Sequence, residues 1–354
     1  MAAMGQARGA SWPKAYEALR TFAAGQGGIV AVPKSLTVPA DARPAFYERV
    51  EAARRALARR VLGGRLDEAA FVAGKCRAMR QRLLDASGLA AFRLAPTLEA
   101  FLTDVEAAVS KPAFSAVLDG LQNGRDAGEV LEAAGAALEE ACSSLERNAY
   151  EAWAYCGVVS ALDPVRFWTV ESVDAYEVHA VASDEVTVAR QTPSPERRIP
   201  EAVFETADGR VFAMKNEAAR ELDYYGLKIE RRRDSSAGGN TAGLVGHRVL
   251  MLYRLGSVDE VDAVADRDRM RQTPSDLLVE VLAPRDMETP AYVSLFAARI
   301  NAARSRRPVQ VVTYDEAGKF PAGMEEDPDI APVRRRVVGF DEGVLTEIAA
   351  ELAD

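Results

Sequence analysis

Arg254, Ser257, Arg285, Asp286 and Asp315 are the residues whose types and positions suggest shared chemistry. They fall at or just beyond the ends of three apolar runs: HRVLMLYRL (His247–Leu255), LLVEVLA (Leu277–Ala283) and VQVVTY (Val309–Tyr314). Open parallel sheets bind ligands beyond the carboxyl ends of their strands, and runs of this kind read as strands buried on both faces. Arginine grips a phosphate or carboxylate bidentately, and a helix starting at Ser257 would offer free N–H donors. Asp286 and Asp315 together have the chemistry to hold a hydrated Mg²⁺. A second anion-binding element is DSSAGGNTAG (Asp234–Gly243) with Arg232 and Arg233 before it. Its small residues let a backbone wrap an anion closely while the arginines supply charge.

Each of these residues also has an ordinary structural use. Ser257 and Glu260 have the spacing of a capping box, and Asp315–Gly318 is common turn chemistry. The Gly-rich segment is neither a dinucleotide-binding fingerprint nor a P-loop, and a loop between two strands accounts for it. No Gly-x-Ser-x-Gly elbow occurs. There are two histidines, His179 and His247, and three cysteines, Cys76, Cys142 and Cys156, without Cys-x-x-Cys spacing. That excludes His-rich catalytic centres and makes a zinc site or a disulfide framework a poor expectation. No metal and no cofactor are therefore assigned.

The elements that must position these residues change character near Leu162–Asp163–Pro164. Before that point the chain is Ala-rich with apolar residues at helical spacing. Helices are expected after Ser11, from Asp41 with Pro44 in the first turn, from about Asp67 to Ser87, over Thr97–Ser110, over Pro112–Leu121, and from Asp126 toward Val158 with a break near Gly157. Ile29–Pro39 reads as an extended excursion or short hairpin. After residue 163 come a hairpin around Ser183–Asp184, the three-proline segment Gln191–Pro200, and a tight turn at Asp208–Gly209. A strand–helix alternation follows and ends in a helix capped by Asp341. The expected fold is a two-domain α/β protein. Residues 1–162 form an all-α bundle, and residues 163–354 a mixed α/β domain with a partly parallel central sheet and antiparallel hairpins.

The chain has 354 residues, 48% of them hydrophobic and 27% charged, with a net charge of −9. That acidic balance disfavours a general nucleic-acid or anionic-lipid binder. No run approaches a membrane span, and the start lacks a signal-like apolar stretch, so the expectation is a cytoplasmic protein. Within the helical half, arginines crowd between Arg43 and Arg82, and acids between Glu99 and Glu151. These blocks either pair internally or offer a surface to an acidic partner or a second copy. The functional expectation is a binding, adaptor or assembly component with a protein partner or self-association and an anionic ligand at the α/β domain. The alternative is an enzyme or sensor acting on a phosphorylated small molecule or nucleic acid. Salt separates the two uses of the charge blocks, because exposed pairs are screened over about 10 Å at ~0.1 M. Pairing between subunits predicts oligomers that dissociate on raising salt at constant helical circular dichroism. Internal pairing predicts an unchanging mass by light scattering.

Overall fold

A computed structural model describes residues 11–25, 29–32, 35–172, 178–188, 200–215, 249–265, 274–282, 305–314 and 332–352. The protein mixes helix with a mostly antiparallel, partly parallel sheet. It divides into two compact units: residues 1–74 with 96–149, and residues 75–95 with 150–354. The change from helix to sheet falls between residues 161 and 164, whereas this division falls inside two long helices.

In the first unit, α1 (Trp12–Gly25) buries Trp12, Ala15, Tyr16, Leu19 and Ala23 along one stripe. The Trp12 indole N–H donates to the Ala127 carbonyl at 2.8 Å, so a large apolar ring is buried with its polar atom satisfied. Burial pushes the Tyr16 hydroxyl up to about 12, and it donates to the Arg125 carbonyl at 3.2 Å. The excursion after α1 is an antiparallel hairpin of β1 (Val30–Val32) and β2 (Ser35–Thr37). Helix α2 (Arg43–Leu62) starts at Pro44's turn with Ala42, not Asp41, in the cap position. It ends at Gly63, whose φ of 52° is a conformation that suits glycine.

Helix α3 (Arg65–Ser87) begins in this unit and ends in the other, with the short strand β3 (Ala91–Arg93) after it. The helix expected over Thr97–Ser110 is broken into α4 (Pro96–Thr103) and α5 (Val105–Val109). Asp104 makes the break: it takes an extended backbone, and its carboxylate accepts the Ala107 N–H at 2.9 Å. An Asp that can cap a new helix competes with continuing the old one. Helix α6 (Lys111–Gln122) carries Pro112 in its first turn. The capping box that opens α7 (Ala127–Ala161) forms in full. Glu129 Oε2 accepts the Asp126 N–H at 2.8 Å, and Asp126 Oδ1 accepts the Glu129 N–H at 2.9 Å. No break occurs at Gly157, and α7 runs on to Ala161.

The second unit is built on an eight-stranded sheet ordered β12-β11-β10-β9-β8-β7-β4-β5. Its strands are β4 (Pro164–Ser172), β5 (Val178–Ala182), β7 (Ala202–Thr206), β8 (Val211–Lys215), β9 (Val249–Leu255), β10 (Leu277–Leu282), β11 (Val309–Thr313) and β12 (Val333–Val337). Asp208–Gly209 turns β7 into β8 as expected, with Gly209 at φ 83°. Two pairings differ from expectation. Residues 185–187 do not fold back on β5. As β6 (Glu185–Thr187) they pair in parallel with β3, because the Asp184 carbonyl accepts the Ala90 and Ala91 N–H groups and carries the chain away. The central sheet is partly parallel as expected, but the strand–helix alternation does not make β9 part of that run: β9 lies antiparallel to β10, and β10, β11 and β12 are parallel. A strand apolar on both faces shows its burial, not its direction.

After β9 a 3₁₀ turn (Val258–Val261) and α8 (Asp262–Ala265) follow, and α9 (Glu342–Ala350) closes the chain. Asp341 caps α9 by accepting the Gly343 N–H at 2.8 Å. The helices of the expected strand–helix alternation, beyond the parts just given, and residues 191–199 lie outside the described residues.

Gly120 is closely packed in the first unit. A Cβ there would lie 2.3 Å from Val130 Cγ2 and 2.8 Å from the Tyr16 hydroxyl. Val130 is buried and β-branched, with little rotamer freedom to give way. Gly120→Ala is expected to destabilise the protein by about 1–2 kcal/mol in chemical denaturation, overpacking outweighing the better helix propensity of Ala.

Candidate functional site

Of the residues proposed for one ligand, Arg254 and Ser257 are among those described. Arg254 is exposed near the end of β9, and its backbone N–H donates to Asp276 Oδ2 at 2.7 Å. Ser257 stands before the 3₁₀ turn and makes no side-chain cap bond. Glu260 instead accepts the N–H of Gly256 at 2.8 Å. Because β9 is antiparallel to β10, Arg254 and Ser257 lie at the end of the sheet where β10, β11 and β12 begin. Tyr314 lies at the end where those strands finish. The carboxyl end of β9 and those of β10, β11 and β12 therefore lie at opposite ends of the sheet. Arg232, Arg233, Arg285, Asp286, Asp315, His247 and the Gly-rich loop lie outside the described residues. His179 is exposed on β5.

In the first unit, Arg55, Arg59 and Arg65 of the basic block pair with acids of the same unit. Arg55 reaches Asp104 Oδ2 at 3.0 Å and Glu51 at 2.7 Å, and Arg59 reaches Glu106 at 2.9 Å. Arg65 donates to both Ser143 Oγ at 3.0 Å and Glu146 Oε2 at 3.1 Å. Three arginines of the segment thus have carboxylates at hand without a second molecule.

Two carboxyl groups in these pairs shift in opposite directions. The Ala107 N–H bonded to Asp104, with Arg55 beside it, holds that carboxyl below the usual aspartate range. Burial raises Glu146 despite Arg65. The thiols are poor nucleophiles: burial pushes Cys142 up to about 12 and Cys156 well above the ordinary thiol range. Among the described residues no cluster of three His, Cys, Asp or Glu is arranged to hold a metal, and no described helix is long and apolar enough to cross a membrane.

The sheet carries a stronger concentration of chemistry on one face. Strand register aligns side chains in rows there. One row runs Lys215, Met251, Leu278, Val309, Val333, and the next holds Val249, Glu280, Val311 and Arg335. Around them are Ala213, Tyr253, Leu255 and Leu282, all buried. In this aliphatic surface Lys215 is 2% exposed and Glu280 1% exposed, while Arg335 is half-buried on β12. The Lys215 ammonium lies 5.6 Å from the centre of the Tyr253 ring, a cation–π distance. The Tyr253 hydroxyl meets Met251 Sδ at 3.6 Å. Strands about 4.8 Å apart place the backbones of Lys215 and Arg335 on opposite sides of Glu280, each roughly 10–12 Å away. None of these four side chains is without a partner, as buried charge demands.

Neither Lys215 nor Glu280 was singled out from the sequence, although a signal existed. Each is a charge in an otherwise apolar run, VFAMK and LLVEVL. Lys215 reads as a strand's polar end, and Glu280 as one exception in a buried strand.

Comparison with protein-family models, with curated proteins and with solved structures finds no match for the chain.

Two of the paired carboxyls contribute opposite trends to the pH dependence of the first unit. Asp104, with its lowered folded-state pKa, contributes stability that is present above the unfolded aspartate pKa near 4 and lost as pH falls further. Glu146, raised by burial, acts the other way, its folded form being penalised as pH rises past about 4.5. Urea titrations from pH 3 to 7 should show Glu146→Gln losing that decline. Asp104→Asn should flatten the acid limb while keeping the cap, and Asp104→Ala should cost about 1 kcal/mol at pH 7.

Proposed function

We propose that the protein acts by binding, as a ligand- or partner-binding component. Its α/β unit supplies the recognition site at the face bearing Lys215, Tyr253, Glu280 and Arg335. The observation that carries this reading is the burial of Lys215 and Glu280 together on a face otherwise made of Val, Leu, Met and Ala. Apolar residues of similar volume would serve stability at least as well, because the desolvation of buried charges offsets much of their attraction. Titratable groups buried on one surface are the usual material of a functional site. The ligand chemistry that fits is a small anion, met by the ammonium and the guanidinium, with the Glu280 carboxyl able to exchange a proton with it. The basic helices of the first unit are the weaker candidate for a binding surface. Arg55, Arg59 and Arg65 would have to give up carboxylates they already hold.

An enzymatic reading has one specific support: lysine, tyrosine and glutamate are all groups that carry protons in catalysis. Turnover of an anionic substrate that depends on Lys215 would place the protein in that class.

The test is a thermal-shift panel of inorganic phosphate, pyrophosphate, ATP with and without Mg²⁺, and a single-stranded oligonucleotide. It is run on the wild type and on Lys215→Met/Glu280→Leu. The double variant is expected to melt at the wild-type temperature or above it, by up to about 4 kcal/mol of added stability, and to lose any stabilisation by anions. Lys215→Met alone removes the cation–π contact with Tyr253 and should cost about 2 kcal/mol at most. A panel with no effect on the wild type, or a shift that survives in the double variant, overturns the proposal.

A further inference from the structure

At a different place in the α/β unit, beyond the carboxyl ends of the parallel strands, four aromatic rings and a lysine converge. Tyr150 and Trp153 on α7 stack with centroids 5.5 Å apart. Tyr314, the first residue after β11, meets Tyr150 edge to face at 5.4 Å and Phe340 at 5.6 Å. Phe340 in turn packs against Tyr150 at 5.4 Å and Trp153 at 4.9 Å. The end of β11 is tied down as well. The Thr313 carbonyl accepts the Tyr150 hydroxyl at 3.4 Å and the Val338 N–H at 2.9 Å. Gly339, at φ 52°, then turns the chain so that Phe340 comes back over this end. Tyr314 is the exposed member of the group, at 39%, while Tyr150 and Trp153 are buried beneath it. The Lys75 ammonium stands 5.9 Å from the Phe340 ring centre, and Lys75 is exposed.

We propose that Tyr314, with Phe340 and Lys75, forms a docking ledge for an aromatic ring bearing an anionic group, a nucleoside monophosphate being its class of ligand. Three features point that way. The exposed ring is held by edge contacts on two sides, so little conformational freedom is lost when a second ring stacks on it. It stands at the carboxyl ends of parallel β10–β12, the end at which open α/β sheets receive ligands. A cation lies one ring away, at most about 12 Å from Tyr314 by the two centroid distances, which suits a base on the tyrosine and a phosphate toward the lysine. A buried aromatic cluster needed only for packing would not require an exposed tyrosine with a cation beside its neighbour. Binding here is independent of Lys215 and Glu280, which belong to the face of the sheet and not to its edge.

The experiment is isothermal titration of the full chain with AMP, adenosine and ribose 5-phosphate at low and high salt. AMP is expected to bind more tightly than either fragment, and high salt should weaken AMP but not adenosine. Tyr314→Ala should weaken AMP about tenfold or more, Tyr314→Phe should retain it, and Lys75→Ala should lower AMP affinity toward that of adenosine. Each variant is checked by its melting temperature. Tyr314→Phe serves as the control should Tyr314→Ala disturb the cluster. The ledge is overturned if AMP does not bind, if ribose 5-phosphate binds as well as AMP, or if Tyr314→Phe loses as much as Tyr314→Ala. Loss of AMP binding in Lys215→Met/Glu280→Leu with Tyr314 intact would also overturn it, by moving the ligand to the sheet face.

Discussion

Water is excluded from both faces of the sheet over most of β8 to β11, exposed Arg254 apart, and the charged groups buried on those strands must be met from within the protein. Burial on this scale is what makes the sheet stable, since apolar area removed from water is the dominant favourable term in folding. The same exclusion raises the energetic stake of each polar atom left inside. Gln310 illustrates how that demand is met on one face. It is buried on β11, its amide donates to the Pro308 carbonyl at 2.8 Å, and its oxygen accepts from Arg336 at 2.9 Å. Arg336 then continues to Glu347 and Glu351 on and beyond α9, so a charge on an outer strand is neutralised by the helix that covers it. The opposite face answers with Lys215, Glu280 and Arg335, and there the charges sit among aliphatic side chains.

Strand direction is the second constraint, and it follows from where connections can go. An antiparallel neighbour needs only a connection at one end of the sheet, whereas a parallel one needs a return along its whole length. The β9–β10 pair takes the first course, and Asp276 binds the Arg254 N–H across the end where the connection is made. From β10 onward the strands are parallel. The sheet consequently has two unlike edges. One carries Arg254, Ser257 and Asp276, and the other carries the Tyr314 cluster. A residue's distance along the chain from an apolar run does not tell which edge it will reach until that direction is known.

Local signals were legible because they are short-range. Asp126 with Glu129, Asp341, and Asp208–Gly209 each bond within four residues, and all three formed where their spacing indicated. The break at Asp104 is equally local, yet the sequence masks it, because apolar residues at helical spacing continue on both sides of it. Pairings between distant segments were less legible. Val186 could have paired with β5 or with β3, and the choice depends on Asp184 meeting the amides of Ala90 and Ala91, nearly a hundred residues earlier. The same holds for the candidate site. Arginines near strand ends stand out in composition and spacing, whereas Lys215 and Glu280 come onto one face only through the register of three strands.

Charge segregation along the helical half has two readings in one dimension, and the fold gives three of its arginines an internal one. Blocks of opposite sign separated by fifty residues look like a surface prepared for another molecule. Folding brings Arg55 to Asp104, Arg59 to Glu106 and Arg65 to Glu146, and each long side chain then has its counter-charge inside one unit. Pairs of this kind, part-exposed, add little to stability individually, but they remove the electrostatic reason for those arginines to seek a partner. What is left with unusual chemistry is the sheet: its face, where cost in desolvation has been accepted without evident need for the fold, and its edge, where an aromatic ring is held in place and yet exposed. Rigid elements hold both positions, and rigidity is what a recognition site requires of the structure behind it.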